Sequence, residues 1–148
     1  AKVTICDVPD KPGIAARIFK DIAKENINVD MIIQNVSRTG ATDVSFTVMG
    51  SELNKTVKVS KDVAEAIGAG DVTVDKDIAK VSIVGIGMKS HSGIAANMFE
   101  ALAEKSINIE MISTSEIKIS CIVKKGLGEA AVRAIHEKFG LSKSKRRG

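Results

Sequence analysis

The sequence predicts an α+β fold in which one β-α-β-β-α-β unit occurs twice, each an antiparallel sheet with helices on one face, the second copy incomplete. Three observations carry that expectation. Gly13 to Ile32 aligns with Gly93 to Ile112 at an offset of 80, and ten of those twenty pairs are identical. The apolar period switches between strand-like and helix-like in the same order in both copies. After the last helical stretch of copy two only a basic polar segment follows, with no strand signal. The expected organisation is a first domain over 1–78, a second over 79–141 and a basic flexible tail over 142–148.

The elements follow in order. Val3, Ile5 and Val8, echoed by Val81, Ile83 and Ile86, read as first strands. Ile14, Ala15, Ile18, Phe19 and Ile22 place one apolar stripe on a helix, and Ile94, Ala95, Met98, Phe99 and Leu102 repeat it. In both copies the helix is expected to follow the glycine directly. Met31 to Val36 and Met111 to Ser115 are second strands; Val44, Phe46 and Val48, or Ile117, Ile119, Cys121 and Val123, alternate as third strands. Third strands align at an offset of 75, so the intervening turn, Arg38-Thr39-Gly40-Ala41 in copy one, is five residues shorter in copy two. Leu127, Ala131, Ala134, Ile135 and Lys138 mark the last helix, with Gly140 as its cap. In copy one Leu53, Val57, Ala64 and Ile67 fit a helix, yet Thr56 to Ser60 also alternates like a strand. Val72 to Val74 is a fourth strand that copy two lacks. An unfilled sheet edge must be covered, charged or paired, so association is expected.

Composition narrows the function. With 44% hydrophobic and 27% charged residues the chain is ordinary globular material, and units of about 70 residues bury little surface and lean on neighbours. The longest apolar run, Val81 to Met88, is broken by Ser82 and two glycines and falls far short of the roughly 20 residues a bilayer needs. The first residues alternate like a strand rather than a secretory signal, so the expected location is cytoplasmic, with no membrane partner. Lys143, Lys145, Arg146 and Arg147 account for the whole net charge of +4. With no Trp, no Tyr and four Phe, base-stacking surface is scarce, and no nucleic-acid partner is expected. Cys6 and Cys121 sit in apolar phase with no second Cys or His at ligand spacing, so they read as buried spacers and no metal site is expected. No phosphate loop or activated nucleophile is present; His91 between Ser90 and Ser92 has no counterpart in copy one, and His136 lies on a helix. No catalytic residue is assigned, and the chain alone is not an enzyme.

The repeated turn is the informative place. Asp10-Lys11-Pro12-Gly13-Ile14-Ala15 and Ser90-His91-Ser92-Gly93-Ile94-Ala95 join a first strand to a first helix. A helix start offers unpaired backbone N–H groups, and a glycine there admits close approach, so a carboxylate or phosphate is well received. Pro-Gly before a helix is also ordinary turn chemistry, and it is the doubling that favours a ligand. Asn28 and Asn108 precede the second strands, where an amide offers a donor and an acceptor; Gln34 lies within the second strand of copy one, opposite Thr114 in copy two. Asp10 and Asp30 are candidate counter-ions for an ammonium group.

Longer motifs then carry a resemblance. Asp10-Lys11-Pro12-Gly13, Ile27-Asn28-Val29-Asp30-Met31, Gln34-Asn35-Val36-Ser37, Thr42-Asp43-Val44-Ser45-Phe46-Thr47, Gly87-Met88-Lys89-Ser90-His91 and Ile107-Asn108-Ile109-Glu110-Met111 through Ser120 resemble the tandem ACT regulatory region of the aspartate kinase family. The resemblance covers nearly everything except the tail and Glu52 to Gly70. It implies two ferredoxin-like ACT domains that bind threonine and/or lysine and inhibit aspartate phosphorylation. It also implies a homodimer through those domains and a catalytic domain or subunit as partner, this chain being either a small subunit or part of a full-length enzyme. ATP and Mg would belong to that kinase domain, so no cofactor is expected here. The effector contacts implied are Asp10, Gly13, Ile14, Ala15, Asn28 and Gln34 from copy one, and Ile94, Ala95, Asn108, Ile109, Ser115 and Glu116 from copy two. Sites straddling copy one and copy two of neighbouring chains would make binding depend on association. His91-Ser92-Gly93 departs from the family pattern, where a proline precedes the glycine. The alternatives are an assembly module without ligand and an ACT regulator of another amino-acid enzyme.

Overall fold

A computed structural model of the chain describes residues 1–36, 40–84, 91–115 and 117–139. Of the expected features, Arg38 and Thr39 of the turn, Ile86, Gly87 to Ser90, Glu116, the Gly140 cap and the 142–148 tail lie outside the described residues. The chain divides between Lys76 and Asp77 into two compact units. Among the described residues no helix is long and apolar enough to cross a membrane.

The first unit runs β1 (Lys2–Val8), α1 (Ile14–Lys24), β2 (Val29–Val36), β3 (Thr42–Val48), α2 (Leu53–Ile67) and β4 (Val72–Asp75). Its four strands pair antiparallel in the order β2-β3-β1-β4. Period-two alternation sends Val3 and Ile5 to one face, where they sit across from Phe46 and Val44 and meet Ile18 and Ile22 of α1. The Phe19 ring stands edge-on to Phe46 with centroids 5.6 Å apart, a favoured aromatic geometry. On the opposite face the Thr4 and Ser45 hydroxyls share a 2.7 Å hydrogen bond.

The segment that the sequence leaves between helix and strand is α2 throughout. Its buried face is Leu53, Thr56, Ser60, Val63 and Ala64, so two hydroxyl residues occupy core-facing positions and disguise the helical period. Thr56 Oγ1 donates to the Glu52 carbonyl at 2.7 Å, one turn back, which makes its burial cheap. Gly68 ends the helix in the left-handed region, φ 75°, with the Ala69 amide donating to the Ala64 carbonyl at 2.8 Å.

The second unit runs β5 (Ile78–Val84), α3 (His91–Glu104), β6 (Met111–Thr114), β7 (Lys118–Lys124) and α4 (Gly128–Phe139). Among the described residues its sheet has three antiparallel strands, ordered β5-β7-β6, so this copy is partial. Met98, Leu102, Ile119, Cys121 and Val123 centre its core, and Ala131, Ala134 and Ile135 bring α4 onto it. The Cys121 thiol lies 3.9 Å from Met98 Sδ, and burial lifts its pKa from 9.0 to about 11, so it packs as a neutral small apolar group. Ser82 and Ser120 repeat the cross-strand hydroxyl pair at 2.7 Å. Lys138 of α4 pairs with Glu100 and, at 3.7 Å, Glu104 of α3.

One expectation fails here. In copy one the helix does follow its glycine, but α3 begins at His91, two residues before Gly93. At Gly13 the backbone is left-handed, φ 90°, so α1 starts after it, and Pro12 also holds the preceding Lys11 out of the helical region; Ser92 at the matching place imposes no such restriction.

Candidate functional site

The turn between β1 and α1 builds a cleft of about 380 Å³. The Lys11 amide donates to the Pro9 carbonyl at 3.1 Å, and the Ile14 amide to Lys11 at 3.3 Å, closing the turn. Gly13 sits at φ 90°, a left-handed conformation that glycine adopts without a Cβ clash. The first bond of the helix ladder is Arg17 N–H to the Gly13 carbonyl, 3.0 Å. Ile14 has found Lys11, which leaves the N–H groups of Ala15 and Ala16 without a ladder partner, both on exposed residues at the positive end of the helix.

Around those amides stand a carboxylate from Asp10, an ammonium from Lys11 and an amide from Gln34 on β2, over an apolar floor of Val8 and Val44. Beneath the floor, across from Val8, Thr42 Oγ1 is buried with no hydrogen-bond partner. The cleft is near the lower end of the range for small-molecule sites, so it suits a ligand of few atoms carrying both charges. The carboxylate of such a ligand meets backbone donors, and its ammonium meets Asp10.

Of the sequence candidates, the structure gathers Asp10, Gly13, Ile14, Ala15 and Gln34 around this one cleft. Asn28 and Asp30 are exposed at the start of β2 and outside its lining. Six residue steps separate Asn28 from Gln34, about 20 Å at 3.3 Å per residue of extended chain. Lys11, Val8 and Val44 line the cleft without having been singled out. Lys11 stands inside the quoted motif, and Val44 shares the alternation that faces the helices, so both signals were present.

The second turn is not a duplicate. Because α3 starts at His91, the amides nearest its positive end belong to His91, Ser92 and Gly93. Ile94 and Ala95 lie three positions deeper in α3 than Ile14 and Ala15 lie in α1, and they are half-buried. Asn108 is exposed and Ile109 half-buried ahead of β6. Ser115 is exposed beyond the far end of β6, its amide donating to the Lys118 carbonyl at 2.7 Å. Glu110 pairs with Lys124 at 3.6 Å. In the first unit the asparagine and the glycine turn are thus set apart, not merged.

Comparison with known proteins agrees with this architecture. Residues 2–65 and 81–139 each match a family described as an ACT domain. The chain is 52% identical over all its 148 residues to an aspartate kinase of Pseudomonas fluorescens, of which it spans 36%. It therefore covers about a third of the length of the curated relatives it matches. A solved structure of aspartokinase alpha and beta subunits contains a chain 45% identical, with a TM-score of 0.86 over 94% of this chain and 91% of that one. The ligand-free regulatory subunit of aspartate kinase from Thermus thermophilus is 41% identical, with a TM-score of 0.86 over 93% and 91%.

Proposed function

Since this chain belongs to the aspartate kinase family, as its tandem ACT regulatory region, we propose that it binds an amino acid, threonine or lysine, and passes that signal to the kinase as feedback inhibition of aspartate phosphorylation. The observation that carries the reading is the cleft at the start of α1. It sets two unpaired helix amides, the Asp10 carboxylate and the Gln34 amide around a space sized for a small zwitterion. Chain length supports the division of labour. The match is to the regulatory subunit over nearly its whole length and to only about a third of the complete kinases, so phosphorylation itself belongs to a partner domain or subunit.

Asn28 and Asp30 fit the same reading through a second copy. β2 is an edge strand with Ile32 and Val36 exposed, and Asn28 lies at the end of it remote from Gln34. Edge-to-edge antiparallel pairing between chains would carry an asparagine of one copy to the turn of another, making a homodimer part of the binding site. An effector that binds such a joined site also tightens the pairing, with couplings typically of about 1 to 3 kcal/mol.

Titration calorimetry with threonine and with lysine tests this. Gln34→Ala is expected to weaken the bound amino acid by about tenfold, roughly 1.4 kcal/mol, while the melting temperature stays unchanged. Unchanged affinity in that variant rejects the assignment of the cleft. Retention of none of the twenty amino acids in equilibrium dialysis leaves an assembly module instead.

A further inference from the structure

Five polar side chains are buried among the described residues: Thr42, Thr47, Thr56, Ser60 and Ser120. Three of them are answered within the fold. Thr47 Oγ1 accepts from the Met31 amide at 2.9 Å, Thr56 Oγ1 donates to the Glu52 carbonyl at 2.7 Å, and Ser120 shares its bond with Ser82. Ser60 is unbonded on the buried face of α2, outside the cleft lining. Thr42 is unbonded as well, only 1% exposed, and it lies beside the cleft.

Strand pairing places it there. Residues directly opposed on antiparallel strands share a face, and so do residues two apart on one strand. Thr42 is opposed to Val8 on β1 and to Val36 on β2, Val44 follows it by two, and Gln34 stands across from Val44. Val8, Val44 and Gln34 all line the cleft. Thr42 therefore belongs to the same layer as the cleft floor. Its direct neighbours on that face, Val8, Val36 and Val44, have side chains with nothing to offer a hydroxyl. Valine has nearly the shape of threonine, so an unbonded hydroxyl at this place only costs the folded chain its desolvation. The second unit dispenses with it, since at the third-strand offset of 75 the residue matching Thr42 is Ile117. The hydroxyl is no requirement of the fold, which leaves the cleft as the source of its partner.

We propose that Thr42 is a specificity-determining residue of the cleft. Its hydroxyl bonds a hydroxyl on the ligand's side chain and so selects a short hydroxy amino acid over an apolar one of the same shape. The inference deepens the effector reading and rests on it. With the ligand carboxylate on the Ala15 and Ala16 amides and its ammonium at Asp10, the side chain is left to the floor of Val8 and Val44. There a methyl group packs and a hydroxyl meets Thr42. A site built to bond a hydroxyl strongly rejects an analogue that lacks it, because the site's own polar group then stays unpaired. The Lys11 ammonium, which also lines the cleft, opposes a long cationic side chain by like charge.

Titration calorimetry with L-threonine and L-valine, which differ by a hydroxyl for a methyl, tests the proposal on the native chain, Thr42→Val and Thr42→Ser. The native chain is expected to bind threonine about tenfold or more tightly than valine. Thr42→Val should bring the two affinities together, and Thr42→Ser should keep the preference. Melting without ligand adds a readout that a merely structural hydroxyl would move the other way. Thr42→Val should melt no lower than the native chain, because an unbonded buried hydroxyl has been removed. A preference for threonine that survives Thr42→Val overturns the proposal, and so does a lower melting temperature in that variant. Equal affinities for threonine and valine in the native chain, or binding of lysine alone, also overturn it and leave the effector reading standing. Retention of no amino acid at all overturns both.

Discussion

The two units share one sequence stem, yet their first helices start at different places. Ten identical pairs in twenty give both the same helix stripe and the same hydrophobic partners beneath it. Both helices end on a residue held at positive φ, Asn26 at 58° and Ser106 at 56°, again 80 apart. Yet α1 starts after Gly13 and α3 starts before Gly93. The lesson concerns where function can drift. Packing positions are tied to many neighbours and stay alike, whereas the turn answers to few residues, and moving a helix start by a few positions relocates every unpaired amide.

The largest test of that equivalence lies in the cores. Phe46 and Cys121 stand 75 apart at the same place in the third strands, both fully buried. Phe46→Ala should cost about 3–5 kcal/mol, whereas Cys121→Ala, which removes one atom from the side chain, should cost about 1 kcal/mol. Chemical denaturation measures both; equal losses would mean that the two positions are not packed as counterparts.

Alkaline titration separates the units next. Cys121 is neutral when protonated, and its folded pKa of about 11 exceeds the 9.0 of the free thiol, so the folded chain holds its proton while the unfolded chain releases it. The stabilisation is complete below pH 9 and is lost as pH rises from 9 to 11, by at most about 2–3 kcal/mol. Cys6 is raised as well, by burial and then by Asp43, Asp7 and Asp71. Melting followed from pH 8 to 11 should fall less steeply in Cys121→Ala than in the native chain. An identical fall means that Cys121 does not carry the effect.

Exchanging the turns is subtler. Pro12→Ser should let α1 begin earlier, draw the Ala15 and Ala16 amides into the helix ladder and weaken effector binding about tenfold, roughly 1.4 kcal/mol. Nuclear magnetic resonance of those amides and calorimetry on the same sample read both consequences. A longer helix with undiminished affinity would separate binding from the amides. The smallest effect is expected at the caps. Asn tolerates the left-handed region better than Ser, so Ser106→Asn should stabilise by about 0.5 kcal/mol and Asn26→Ser should destabilise by a similar amount. Thermal melting resolves the sign, and a loss in Ser106→Asn would indicate that Ser106 has a role beyond its backbone.

Sequence alone determined the duplication, the split β-α-β-β-α-β order, the faces of the strands and the incompleteness of the second copy. Those features rest on periodicity, and period two or 3.6 is set by backbone geometry whatever the neighbours. The resemblance grouped Asp10, Gly13, Ile14, Ala15 and Gln34 with Asn28, and the first five line one cleft, Gln34 standing across from Val44 of the intervening β3. Tertiary structure decided the rest. Thr56 and Ser60 joined a buried helix face only because the core accepts a hydroxyl bonded one turn back, or one left unbonded, which composition does not reveal. Asn28 lay far from the turn because β2 is eight residues long and extended, a distance that exists only once the strand is laid out. The start of α3 at His91 appeared only in the folded helix, and the order β5-β7-β6 among the described residues came from which strands found partners, since an edge is a property of the assembled sheet and of no residue in it.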